Sequence, residues 1–353
     1  MTVTHDQVQA QLTGPGQLFE MEEVPGQGGT VRTWKHAPAH FRALLEMSRF
    51  HGDKVFLTYE DEHITYEEHF RRAATLARRL VEEYGVAKGD RVAIAMRNYP
   101  EWVVSFSAAL AAGAIAVPLN AWWTRPELEF GLSNSGSKVL IADGERAALL
   151  AGAGPALIVT RGEVPEGARS FQDVLGEVAA DVTLPEVELS PTIRPPSSTP
   201  PAPPACPRAR SAATATSASP PDRGLQPAAR RGPGRKDPGE SAGQRRVTLL
   251  TVPLFHVTGC FAVMTTTMFS GGGLVLMYKW DPGKALELIE REKITGISGV
   301  PTNVWQLLSH PDLEKYDISS LNSLGYGGAP PRPSSWSASG RSCRAGPRPT
   351  ATA

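Results

Sequence analysis

Cysteine is scarce in this sequence, with three residues in 353. That excludes a disulfide scaffold, which needs several closely spaced pairs. Net charge is missing too, because 36 Lys and Arg balance 36 Asp and Glu. A nucleic-acid binder that relies on overall basicity is therefore excluded, and no nucleic-acid partner is expected. No basic-then-apolar leader opens the chain, so a cytoplasmic location is expected. Asp, Glu, Lys and Arg are all absent from residues 247–278, a run long enough to raise a membrane span. Pro253, His256 and Gly271-Gly272-Gly273 interrupt that run. The expected reading is a buried strand, helix and strand, with no transmembrane segment.

What is present is unevenly spread. Apolar residues reach 41%, enough for a sizeable core over a length that suits two or three domains. Residues 191–246 hold thirteen of the 31 prolines, ten basic and three acidic residues, and no Phe, Trp, Tyr, Val or Met. Residues 331–353 hold four arginines and no acid. Neither segment has enough apolar surface to offset the entropy of ordering it, so both are expected to be disordered. The remainder is acidic by eleven charges, which reads as a solvated surface.

Outside these segments the pattern alternates. Thr65 and Glu68 form a capping box before a helix whose face is Phe70, Ala74, Ala77, Val81 and Tyr84. Gly85 suits the position just past its end. Residues 91–96 read as a buried strand. Asn98 can cap the next helix, with Pro100 and Glu101 in its first turn. A strand at 114–119, a helix at 125–135 and a strand at 138–142 follow. The rhythm resumes with a strand at 247–252, a helix at 257–269 and a strand at 274–278. A helix capped by Asp281 runs to Glu292, before a strand at 294–300 and a helix at 301–309. Such βαβα alternation implies an α/β fold, with parallel sheets covered by helices.

Seven stretches, in order, resemble the fatty-acyl-CoA synthetases of the adenylate-forming superfamily. They are Leu57-Thr58-Tyr59 with Ile64-Thr65-Tyr66-Glu67-Glu68, Gly89-Asp90-Arg91-Val92-Ala93, and Asn98-Tyr99-Pro100-Glu101-Trp102. Gly113-Ala114-Ile115-Ala116-Val117-Pro118-Leu119-Asn120 and Val252-Pro253-Leu254-Phe255-His256 come next. Gly299-Val300-Pro301-Thr302 and Gly325-Tyr326-Gly327-Gly328-Ala329-Pro330 complete the set. The resemblance implies a truncated N-terminal domain of the adenylate-forming fold. Residues 1–190 and 247–330 would be its two parts, 191–246 and 331–353 the foreign segments, and the C-terminal domain absent.

The family places a Thr/Ser/Gly-rich phosphate loop ending in Pro-Lys-Gly where residues 191–246 stand. Residues 199–210 can give that loop when codons chosen for them are read one base back. Thr199-Pro200-Pro201-Ala202-Pro203-Pro204-Ala205 can then read Tyr-Thr-Ser-Gly-Thr-Thr-Gly, and Cys206-Pro207-Arg208-Ala209-Arg210 can read Met-Pro-Lys-Gly-Ala. Pro349-Thr350-Ala351-Thr352-Ala353, moved in the same way, can read Asn-Gly-Tyr-Gly, which the family continues as Leu-Thr-Glu. At least two frame errors, with a compensating one between roughly 219 and 247 where apolar patterning resumes, are the expected origin of both segments.

The resemblance also implies a chemistry. A carboxylate attacks the α-phosphate of ATP to give an acyl-adenylate and pyrophosphate, and the thiol of coenzyme A then displaces AMP to leave a thioester. The expected substrate is a fatty or related hydrophobic carboxylate; ATP, Mg²⁺ and coenzyme A serve the intact family. Gly327, Gly328, Ala329 and Pro330 would form the adenine-binding turn, where glycine lets backbone approach a flat base. His256, Phe255 and Val300 would line the acyl pocket. No catalytic residue is assigned, because the family's phosphate-loop Lys, Mg²⁺-holding Glu, ribose-binding Asp and catalytic Lys have no counterpart here. No metal-ligand pattern is present either, and Cys206 and Cys343 form none. Read without the motif, His256 is a core histidine and 327–330 an ordinary Gly-Pro turn. Two alternatives stay open: an inactive remnant binding nucleotide or acyl group weakly at most, and an amino-acid-adenylating domain. Cys260 is expected to fill core space, and Trp122-Trp123 to pack.

Overall fold

The computed structural model describes residues 5–17, 19–26, 29–152, 154–188 and 245–326. The other residues, including 327–330 and 331–353, lie outside the described set. In chain order the described elements begin with α1 (His5–Thr13), the antiparallel pair β1 (Met21–Gly26) and β2 (Gly29–Trp34), and α2 (Phe41–Ser48). Next come β3 (Val55–Tyr59), β4 (Glu62–Thr65), α3 (Tyr66–Glu82), β5 (Arg91–Ala95) and α4 (Pro100–Ala111). After them stand β6 (Ile115–Pro118), α5 (Arg125–Ser135), β7 (Val139–Ala142), α6 (Gly144–Leu150), β8 (Ala156–Val159), β9 (Arg169–Ser170) and α7 (Phe171–Leu175). The last run is β10 (Val247–Leu250), a π-helical stretch (Thr258–Thr265), α8 (Thr266–Ser270), β11 (Gly273–Leu276), α9 (Pro282–Glu292), β12 (Gly296–Gly299), α10 (Pro301–Leu308) and β13 (Ser323–Tyr326). Among the described residues no helix is long and apolar enough to cross a membrane.

The chain divides into two compact units. The first takes its described residues from Met1–Gly52, Glu67–Met96 and Glu101–Ala242; the second takes them from Asp53–Tyr66, Arg97–Pro100 and Gly243–Ala353.

The first unit holds a five-stranded parallel sheet of order β6-β5-β7-β8-β9. Its strands are almost wholly apolar, as strands buried on both faces must be. Ala93, Ala95, Val117, Leu140 and Val159 pack with Leu128 and Leu132 of α5 and with Ala147 and Leu150 of α6. Helix α5 starts where Thr124 and Glu127 cap each other and ends at Gly136, whose φ of 59° is one that L side chains rarely adopt. Helix α3 begins directly after Thr65, and of its expected face Phe70, Ala74 and Ala77 are fully buried.

The second unit holds a six-stranded sheet of order β13-β12-β10-β11-β3-β4. All its pairs are parallel except β3 with β4 at one edge. Residues 55–65 thus enter this sheet, and not the sheet formed by 91–170. Leu249, Val275 and Ile297 pack with Leu286 and Ile289 of α9 and Leu307 of α10. Asp281 caps α9 as expected, accepting from the Lys284 amide at 2.8 Å. The amino-terminal edge of this sheet is tied off by polar side chains. The Arg245 guanidinium donates to the carbonyls of Val55, Gly271 and Gly272. The Tyr66 hydroxyl reaches the carbonyls of Thr267 and Gly272, both at 2.9 Å, and burial pushes its ionisation well above the ordinary tyrosine range.

Two expectations are corrected. The expected helix at 257–269 is π-helical over its first two turns, a form that has no sequence signature and often marks functional sites. Asn98 does not cap α4, because its side chain is engaged with residues 252 and 254.

Candidate functional site

In open α/β sheets the crevice for a ligand lies beyond the carboxyl ends of the strands, where the strand order reverses. Each sheet has one such reversal. In the first it falls between β5 and β7, since β6 lies on one side and β8 and β9 on the other. That position is filled. Asp143 follows β7 and Arg146 stands one helical turn later, and both are buried. Nη1 of Arg146 donates to both Asp143 carboxylate oxygens at 3.0 and 3.1 Å, while Nε donates to the Ala121 carbonyl at 2.9 Å. One guanidinium therefore ties the loop after β6 to the loop after β7, and a side chain at Gly144 would overlap the Arg161 carbonyl.

In the second sheet the reversal falls between β10 and β12, with β11 on one side and β13 on the other. Among the described residues, those that follow β10 and β12 at this edge are in part exposed. After β10 the chain runs through Thr251, Val252, Pro253, Leu254, Phe255 and His256 into the π-helical stretch. After β12 it turns at Val300 into α10. Phe255 is half-buried, His256 is exposed, Val257 is 64% exposed and Val300 37% exposed. Three of the expected site residues, Phe255, His256 and Val300, thus stand in segments that follow adjacent strands at the same sheet edge. Gly327, Gly328, Ala329 and Pro330 lie outside the described residues, directly after β13.

Backbone packing at this edge is close. Thr251 Oγ1 donates to the Ser298 carbonyl at 3.0 Å, joining the ends of β10 and β12. A side chain at Gly299 would overlap that hydroxyl, and one at Gly259 would overlap the Pro253 carbonyl. The short segment 97–100 lies along the same edge. Asn98 bonds the chain after β10, and Tyr99 stacks edge-on against Tyr59 at the end of β3, with centroids 5.3 Å apart. Tyr99 also meets Tyr278 beyond β11 at 5.7 Å, and the Arg97 guanidinium sits 5.4 Å from the Tyr278 ring centroid. The motif around residue 98 marked this segment as notable but did not show its partners.

The remaining expectations divide. Cys260 is buried, and burial pushes its thiol well above its ordinary range, so it is an inert packing group. Trp123 packs on the first unit's core, whereas Trp122 is 59% exposed. Among the described residues no group of three or more His, Cys, Asp or Glu is placed to hold a metal ion. Cys206 and Cys343 lie outside the described residues.

The model of one protein family, described as AMP-binding enzyme, matches residues 45–214 and 229–345. The chain belongs to the AMP-binding enzyme family. Its relatives include feruloyl-CoA synthase of an Amycolatopsis species, 33% identical over 269 residues that make up 76% of this chain and 50% of the relative. 4-Coumarate–CoA ligase 3 of Arabidopsis thaliana is 28% identical, over 84% of this chain and 52% of its own length. This AMP-binding chain therefore spans about half the length of the curated relatives it matches. The fold is shared with the anthranilate CoA ligase AuaEII, solved with anthranoyl-AMP, at a TM-score of 0.67 and 22% identity, covering 86% of this chain and 56% of that one. The N-terminal domain of FACL13 from Mycobacterium tuberculosis gives a TM-score of 0.65 at 23% identity, covering 86% and 73%. The family match leaves only 215–228 open inside the proline-rich segment.

Proposed function

We propose that this chain is the acid- and nucleotide-binding portion of an AMP-forming acid–thiol ligase acting on a hydrophobic carboxylate. The observation that carries the reading is the strand-order reversal between β10 and β12, in a chain of this family, with the exposed His256, the half-buried Phe255 and the exposed Val300 in the segments that follow those two strands. An acid's apolar body is excluded from water against Phe255 and Val300, while the His256 imidazole meets its carboxylate. Gly327, Gly328, Ala329 and Pro330 are proposed to take the adenine. The relatives named for ferulate and 4-coumarate put aromatic acids ahead of fatty acids as the substrate class. A cytoplasmic location, and a division into 1–190, 191–246, 247–330 and 331–353, belong to the same proposal.

ATP, when bound, supplies the electrophilic α-phosphorus and pyrophosphate as leaving group; coenzyme A supplies the thiol. The described residues fit the acid better than the phosphates. They offer an imidazole and apolar walls, but no acidic cluster for Mg²⁺. No step is assigned to the metal.

A second reading, a catalytically inert product, is favoured by the proline-rich segment 191–246 standing where the phosphate loop belongs. Each lost electrostatic contact to the transferring phosphates typically costs about 3–4 kcal/mol. The test measures pyrophosphate release with ATP, Mg²⁺ and coenzyme A against ferulate, 4-coumarate and fatty acids of several lengths. The chain as written and the product of a frame-corrected gene are compared. We expect release only from the corrected protein, and first with the aromatic acids. Turnover by the chain as written would refute inertness. A corrected protein silent with every acid would remove the ligase reading. A nucleotide sequence whose shifted frame lacks Tyr-Thr-Ser-Gly-Thr-Thr-Gly would remove the frame-error explanation.

A further inference from the structure

We propose that Asn98 is the positioning residue of the crevice, and that its carboxamide fixes the turn presenting Phe255 and His256. Asn98 Nδ2 donates to the Val252 carbonyl at 3.1 Å, and Asn98 Oδ1 accepts from the Leu254 amide at 2.8 Å. The two bonds match the donor and acceptor that a neighbouring strand would present, so the side chain extends sheet-like pairing past the end of β10. Beyond residue 254 the turn closes on itself: the His256 amide donates to the Pro253 carbonyl at 3.1 Å. On the other side, Gly259 brings the π-helical backbone so close to the Pro253 carbonyl that no side chain fits. The turn is thus held between a carboxamide and a bare backbone, and its free groups are the exposed His256 and Val257.

Asn98 is itself anchored. Its neighbour Tyr99 packs on Tyr59 and Tyr278, and Arg97 lies over the Tyr278 ring. Segment 97–100 therefore touches the carboxyl end of β3 and the chain just beyond its neighbours β11 and β10. The arrangement demands both a donor and an acceptor at residue 98. Serine is too short to span both sites, leucine supplies neither group, and an ionised aspartate supplies only acceptors and faces the Val252 carbonyl. A protonated aspartic acid has nearly the shape of the carboxamide and supplies both.

This role presupposes the crevice reading above, but its test needs neither ligand nor turnover, so an inert result in the pyrophosphate assay leaves it standing. The experiment measures amide hydrogen exchange of residues 252–256 and the His256 Hε1 NMR signal in the full chain, Asn98→Asp and Asn98→Leu, between pH 4 and 8. Other titratable groups in the chain at these strand ends include His256, Arg97, Glu60, Asp61, Lys279, Asp281 and the phenols of Tyr59, Tyr99 and Tyr278; the unsubstituted chain, measured over the same range, accounts for them. In Asn98→Asp we expect wild-type protection of Leu254 at low pH. It should fall about tenfold as the new carboxyl ionises, the worth of one such hydrogen bond. That ionisation should lie above the ordinary aspartate range, because the neutral form makes the bonds. Asn98→Leu should be unprotected at every pH, with the His256 signal displaced while signals from the first unit are unmoved. Unchanged protection of Leu254 in both variants overturns the proposal. So does loss of protection in Asn98→Asp that low pH does not restore, because packing and not the hydrogen-bond pair would then hold the turn.

Discussion

Replacing Arg146 by Met tests what closes the first sheet's carboxyl edge. The residue is 2% exposed and Asp143 3% exposed. Methionine keeps most of the length and apolar contact of the arginine stem but removes every bond of the guanidinium. Asp143 then keeps a buried charge without its cation, and the Ala121 carbonyl loses its donor. Breaking a buried pair in this way costs about 3–5 kcal/mol, whereas the exposed Glu145 contact adds little. Asp143→Asn keeps an oxygen for the Arg146 amide that it caps, so the start of α6 survives. In the double variant Arg146→Met/Asp143→Asn the stranded charge is gone. The coupling between the two sites should therefore recover about 2 kcal/mol relative to the sum of the singles. The assay is native-state hydrogen exchange of β5 and β7 amides. Arg146→Met alone should speed it about a hundredfold or more, and the double variant should restore part of the loss. A single variant costing under about 1 kcal/mol, or strict additivity, would refute the claim that charge pairing holds this edge.

Two further outcomes follow from buried and crowded positions. His69 is fully buried, with Nε2 3.2 Å from Ser107 Oγ, and burial lowers its pKa to about 4. The unfolded chain takes up the proton near pH 6.5 and the folded chain does not. Stability should therefore fall by about 3 kcal/mol as pH drops from roughly 6.5 to 4, and in His69→Gln urea midpoints across that window should lose this slope; an identical slope in both proteins would contradict the assignment. Gly259→Ala should cost about 1–3 kcal/mol by overpacking against Pro253 and should displace the His256 NMR signal. An unshifted signal with unchanged stability would show that the turn has room the structure denies.

Much of the fold was legible wherever local chemistry sets both ends of an element. Helix α5 coincides with its expected bounds because Pro126 starts it and Gly136 ends it. Asp281 marked α9 for the same reason. What stayed hidden depends on partners far along the chain. Nothing local says that β3 pairs with a strand beginning at Gly273, more than 200 residues further along the chain. Asn98, two residues before Pro100, has the features of a helix cap, yet its bonding partners lie more than 150 residues away. The motif around Phe255, His256 and Val300 marked candidate residues. That they share one edge follows from the strand order β12-β10-β11, which the sequence does not write down.

The pairing of Leu57 with Leu274 also sets an order of events during synthesis. The first sheet is complete once residue 170 has emerged, since all its strands lie between 91 and 170. Strand β3 is made before any of them, yet the strand it pairs with comes more than a hundred residues after the last. Until then the apolar run Val55–Tyr59 can form only a hairpin with β4, and an isolated hairpin is marginal in water. The ribosome therefore exposes an unpaired sheet edge for much of elongation, the condition under which nascent chains associate wrongly. Charged Glu60, Asp61 and Glu62 at the hairpin tip are placed to keep that waiting edge in solution.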